Sequence, residues 1–191
     1  MKSISLEDIR GNASYEKIRD EFRRRIIELK KIRRISVGDK VSLVFENRDT
    51  VIFQIQEMMR AEKITDLDKI REEIEVYNVL IPKPGELSAT LFIEIADQSH
   101  LRDDLLKFLG IDEAVFFKTG AHRIQARFEE GRSKEDKISA VQYVRFPFAG
   151  DERAAFAGSA EASLCIHHPN YQAETVLEAG SRKALLADLQ E

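Results

Sequence analysis

The sequence predicts an α+β protein, a helix-rich N-terminal half packed on an antiparallel or mixed sheet formed mostly by the C-terminal half. Three observations carry this. Apolar residues recur at helical spacing through Tyr15, Ile18, Phe22, Ile26, Leu29 and Ile32. Period-two alternation takes over in the second half, most clearly between Ala121 and Glu129. The 191 residues, without an internal repeat or low-complexity stretch, suit one domain with a real core and are short for two. That single domain, 1–191, divides into a polar lead-in at 1–13, a helix-rich half at 14–110 and a strand-rich half with a closing helix at 111–191.

In chain order, Gly11–Asn12 is a turn signal and Ser14 a cap for a long helix whose cations gather toward its C-terminus, as the helix dipole favours. Gly38–Asp39 ends a linker, and Lys40–Glu46 alternates as a strand with one face packed. The chain is organised around Val41–Glu62, VSLVFENRDTVIFQIQEMMRAE. Its second part, Thr50–Ile64, fits a short strand through Val51, Phe53 and Ile55. A helix through Ile52, Ile55 and Met59 also accounts for the charged end and is preferred. Thr65 and Asp68 have capping-box spacing before a helix bearing Leu67, Ile70, Ile74 and Tyr77, which Pro82 stops. Leu87–Ile95 reads as a buried strand. Ser99 caps a short helix closed by Gly110.

Beyond Gly110 the expected strands are Ala114–Lys118, Ala121–Glu129, Ile138–Phe146, Glu161–His167 and Tyr171–Leu177. Glu130–Lys137 reads as a charged loop, 149–159 (AGDERAAFAGS) as a small-residue connection and His168-Pro169-Asn170 as a turn. Ser181 caps the closing helix through Leu185, Leu186 and Leu189.

Composition bounds the function. Hydrophobic residues make up 43% and charged residues 34%, with a net charge of -4, which argues against general nucleic-acid binding. The single cysteine excludes an internal disulfide. No signal-peptide core and no apolar run long enough to span a bilayer is present, so the expected location is the cytoplasm, away from the membrane. The motif scan finds no Gly-rich phosphate loop, CxxC, HExxH, GxSxG or Glu-x-x-His pair.

The run VGDKVSLVFENRDTVIFQIQEMMRAE, followed by an acidic helix, IPKPGELSATLFIEI and later HHPNY, resembles the bacterial domain-of-unknown-function family DUF3501 over nearly the whole chain. The resemblance implies no catalytic residues. The family is often met beside rubrerythrin and Fe–S oxidoreductase genes, which implies an accessory role in redox or peroxide metabolism.

Three sets of residues are candidate sites. Asn47, Arg48, Glu57 and Arg60 make a polar stretch beside Phe45, Phe53 and Met59, where an arginine can grip an anionic ligand. The simpler reading has Asn47 and Asp49 capping the helix and Glu57–Arg60 paired within it. Arg23, Arg24, Arg25, Lys30 and Lys31 form a basic helix face opposite an acidic stretch at 57–75. It suits a protein partner or self-association more than nucleic acid, because no aromatic stacking platform accompanies it. Cys165 and His167 share a strand face and, with His122, could hold zinc or iron. Two ligands are not a site, the others would have to come from His122 or a carboxylate, and the absence of a metal or other cofactor is the preferred reading. The expected function is a non-catalytic, partner-binding accessory protein, ahead of a metal- or ligand-dependent enzyme and of an RNA binder.

Overall fold

The computed structural model describes residues 1–96, 98–129, 133–134, 137–158 and 161–191. Helix α1 runs Asn12–Arg33, buries Tyr15 and Ile26, and starts at Gly11 rather than at Ser14. It passes without a linker into β1 (Arg34–Val37), a strand the sequence reading missed, which turns through Gly38 and pairs with β2 (Val41–Phe45). All five β2 residues are buried, so the expected half-exposed strand is covered on both faces.

Helix α2 (Arg48–Ala61) settles the helix-or-strand choice for this segment. Asn47 caps it: its side chain accepts from Thr50 N, and its own N–H donates to the Thr50 hydroxyl, each at 3.0 Å. Helix α3 (Leu67–Asn78) is capped by Asp66, which accepts from the backbone of Asp68 and Lys69, so Thr65 has no capping role. β3 (Glu86–Ile93) follows, then a 3-10 turn at Gln98–His100 and α4 (Leu101–Leu106). Gly110 has φ +88, the left-handed value that the end of this segment requires.

The second half contains β4 (Val115–Thr119), β5 (His122–Gln125), β6 (Arg127–Phe128), β7 (Ser133–Lys134), β8 (Lys137–Ile138) and β9 (Val141–Pro147). The single strand expected at 121–129 is broken at Ala126: β5 pairs with β4, whereas β6 pairs with β9 in another sheet. Of the loop expected at 130–137, residues 130–132 and 135–136 lie outside the described residues, and β7 and β8 pair with each other. Where a connection was expected, α5 (Gly150–Ala157) buries Phe156. β10 (Ala162–His168), β11 (Tyr171–Val176) and α6 (Ala179–Gln190) complete the chain. His168 therefore ends a strand, and Ser181 lies inside α6, not at its cap.

All described pairings are antiparallel, in a five-stranded sheet ordered β1-β2-β3-β9-β6, a four-stranded sheet ordered β11-β10-β4-β5 and the small β7-β8 pair. The main core lies between the two large sheets, where Phe45, Phe117, Phe146, Phe148 and Phe156 meet. α2 and α3 cover the other face of the first sheet through Val51, Ile55, Met59, Ile70 and Ile74. Glu46 is buried at that helix–sheet joint, its carboxylate accepting from Thr50, Gln54 and Thr90 at 2.5, 3.0 and 2.7 Å. Among the described residues no helix is long and apolar enough to cross a membrane.

Candidate functional site: the arm, α1 and α2

Residues 1–11, expected as a lead-in, form an arm fastened across α2 and α3. Ile4 is buried among the α2–α3 apolar residues, with Leu6 and Ile9 packed beside it. Two side-chain amides clasp the arm's backbone. Asn78 accepts from Ile4 N at 2.8 Å and donates to Ile4 O at 2.9 Å. Gln56 does the same for Arg10, at 2.7 and 2.9 Å. Each amide thereby satisfies one donor and one acceptor of an extended segment, as a neighbouring strand would. Asp8 completes the attachment in a 2.5 Å ion pair with Arg48. The bond from the Ser5 backbone, and then Arg48, hold its carboxyl below the ordinary carboxylate value.

Between this arm, α1 and α2 opens a cleft of about 370 Å³. Its floor is apolar, from Ile18 and Phe22 on α1 and Ile52 on α2, with Tyr15 and Gln56 in the wall. The rim carries both signs of charge: Arg10 and Arg25 against Asp8, Glu21 and Asp49. Arg25 lies over the Phe22 ring, 4.9 Å from its centroid, and reaches Asp49 at 3.5 Å. Arg10 and Glu21 make no ion pair among the described residues.

Behind the wall, Tyr15 donates its hydroxyl hydrogen to Glu57 at 2.8 Å, and Arg19 grips the same carboxylate with two 2.8 Å bonds. Burial raises the Tyr15 phenol well above its ordinary value, and the bond to Glu57 adds to this. Arg19 is the main cause holding Glu57 below the usual carboxylate range, helped by Tyr15 against the opposing effect of burial. Near neutral pH the phenol therefore stays protonated and the carboxylate charged.

The four polar candidates on and beside α2 do not converge. Asn47 is consumed by capping and Arg48 by the arm. Glu57 lies nine residues beyond Arg48, about 14 Å along the helix axis. The expected Glu57–Arg60 pair is absent: Glu57 faces Arg19, and Arg60 pairs with Glu16 at 2.8 Å, because α1 packs alongside α2 and offers each a partner across the interface. The basic face of α1 is also divided. Arg25 lines the cleft and Lys30 lies 6.0 Å from the Phe53 ring centroid. Arg23 is exposed, Arg24 bonds the Asp20 carbonyl and Lys31 pairs with Glu28.

Cys165 and His167 share the outer face of the second sheet, as their spacing requires, but His122 lies on the opposite face with the core residue Ile124. The Cys165 thiol is buried and pushed up to about 11 by burial and then by Glu174. His167 stands edge-on to Phe116, and His122 is 4.0 Å from Asp151. Among the described residues, no three His, Cys, Asp or Glu side chains are placed to share a metal ion.

The HHPNY landmark fastens the structure together. Asn170 N–H donates to His168 Nδ1, so the ring carries a hydrogen on Nε2 and donates it to the Leu109 carbonyl at 2.7 Å. The Tyr171 hydroxyl donates to Val37 O at 2.7 Å and accepts from Lys40 N at 3.0 Å, tying β11 to the β1–β2 turn.

The cleft residues that the sequence did not single out include Asp8 and Arg10, hidden in an apparent lead-in, Glu21 on α1, and Tyr15, Ile18, Phe22 and Ile52, read as core. The apolar residues Ile4, Leu6 and Ile9 were the available signal that this lead-in is anchored.

The family model for a protein of unknown function, DUF3501, matches residues 3–189. A crystal structure of a novel protein of unknown function from Burkholderia pseudomallei K96243 is 30% identical in sequence and has a TM-score of 0.92, covering 98% of this chain and 100% of that one. No curated protein matches the chain.

Proposed function

Since this chain belongs to the DUF3501 family of proteins of unknown function, we propose from its geometry that it is a non-catalytic, partner-binding protein that seats its partner in the cleft between the arm, α1 and α2. The observation that carries this reading is an apolar floor of Ile18, Phe22 and Ile52 inside a rim of both charges, with Arg10 and Glu21 left for an incoming partner. Apolar anchors within a polar rim are the usual anatomy of a protein interface. The Tyr15–Glu57–Arg19 cluster supports binding over acid–base chemistry, because both of its titrating groups are shifted away from neutral pH. The partner chemistry that fits is an apolar side chain or short apolar segment flanked by one acid and one base. Proteins of redox or peroxide metabolism, the class implied by the family's gene neighbourhood, are the first partners to test.

Calorimetric titration against purified rubrerythrin and Fe–S oxidoreductase from the same genome is the direct test. Binding by one of them should weaken by about tenfold or more in Phe22→Ala. Arg25→Glu should weaken it more than Arg23→Glu, since only Arg25 lines the cleft. Equal affinity in all three variants, with melting temperatures near wild type, would exclude the cleft. Failure of both proteins to bind would reject this partner class.

A further inference from the structure

On the helix-covered face of the first sheet lies a second cleft, of about 230 Å³, which shares no lining residue with the arm cleft. Its lining includes Ser88 on β3, Arg145 on β9 and Arg127 on β6. These three stand in one row across the sheet, Ser88 opposite Arg145 and Arg145 opposite Arg127. Two guanidinium groups directly across a strand pair repel one another. Glu86 bonds Arg145, which also donates to the Val79 carbonyl. The Arg127 side chain is exposed and has no ion pair, hydrogen bond or ring contact among the described residues.

A second observation is independent of the arginines. Ser88 is only 3% exposed, lines the cleft, and its hydroxyl has no hydrogen-bond partner among the described residues. Its oxygen is not one of the fully buried polar atoms left without a partner, so it keeps some exposure to the cleft and is open to an incoming ligand. We propose that this cleft is a binding site for the oxyanion group of a small ligand, a carboxylate or a phosphate, held by Arg127 with the Ser88 hydroxyl as a second donor. Arginine suits such a group because its fork presents parallel donors to two oxygens. Arg145, already committed to Glu86 and Val79, contributes field more than contacts. Glu129, two residues from Arg127 on the same lining, opposes the anion and so limits its affinity.

The test is titration of the full chain with sodium phosphate and with sodium acetate at constant ionic strength, sodium chloride serving as the control. Saturable binding is expected, with the better of the two anions identifying the source of the oxyanion. Arg127→Ala should weaken binding about tenfold, the scale of a lost charge-assisted hydrogen bond. Arg127 is exposed, so this variant should fold. Glu129→Gln should tighten binding severalfold, because it removes a negative charge from the lining beside the anion. Ser88→Ala should weaken it without abolishing it. Arg25→Glu, in the other cleft, should leave it unchanged. No saturation beyond chloride, or the same affinity in Arg127→Ala as in wild type, would overturn the proposal.

Discussion

Gly38 adopts φ +72 in the β1–β2 turn, and a Cβ there would stand 2.3 Å from the Tyr171 hydroxyl. Gly38→Ala therefore combines a left-handed backbone, about 1–2 kcal/mol for an L-residue, with displacement of a phenol that makes two hydrogen bonds of about 1 kcal/mol each. A loss of roughly 3 kcal/mol is expected in urea unfolding, and Gly38→Ala in a Tyr171→Phe background should cost less than the sum of the two single changes. The turn itself was legible from Gly38–Asp39, and HPNY was legible as a second turn. Their contact was not, because a phenol reaching across 134 residues of chain to Val37 leaves no local trace. The same limit applies to the cysteine and histidines. Spacing put Cys165 and His167 on one strand face correctly, but the face on which His122 would fall depended on a strand pairing that periodicity does not specify.

For α2, the element-scale reading succeeded where local chemistry was complete: of the two capping candidates Asn47 is the cap and Asp49 lies inside the first turn, and the apolar residues Val51, Ile55 and Met59 recur at helical spacing. It failed where a partner was nonlocal. Glu57 and Arg60 sit at a spacing that suits an intrahelical pair, yet α1 offers Arg19 and Glu16, and the bidentate Arg19 contact wins. The strand expected at 121–129 kept its alternation while changing sheets at Ala126, which the pattern alone could not reveal. The Glu57 linkage has a definite sign. Its folded value lies below the ordinary 4.5, so the stabilisation is fully present above that pH and is lost as pH falls through the folded value. Acid titration followed by circular dichroism should show wild-type stability dropping below pH 4.5 more steeply than that of Glu57→Gln. Parallel curves would mean that the Arg19 contact contributes little.

Across the whole molecule, Arg33 at the end of α1 meets Asp188 on α6 in two 2.7 Å hydrogen bonds, both side chains buried. Burial raises the Asp188 carboxyl and Arg33 pulls it back. Removing one partner strands a buried charge, so Asp188→Ala should destabilise by about 3–5 kcal/mol, whereas an apolar pair such as Arg33→Met with Asp188→Leu should cost far less. Comparable losses in the two variants would show that packing, and not the stranded charge, sets the effect. The α+β class and the concentration of strands in the second half were legible from periodicity. The division into two facing sheets was not, since it rests on β1, β2 and β3 from the first half joining β9 and β6 from the second. The Arg33–Asp188 pair spans 155 residues, and this gives it a place in the chain's synthesis. At about 5–20 residues per second, Arg33 is made roughly 8–30 s before its counter-ion. The nascent α1 must wait that long, with its last turn unsealed, until the ribosome has delivered the helix that closes it.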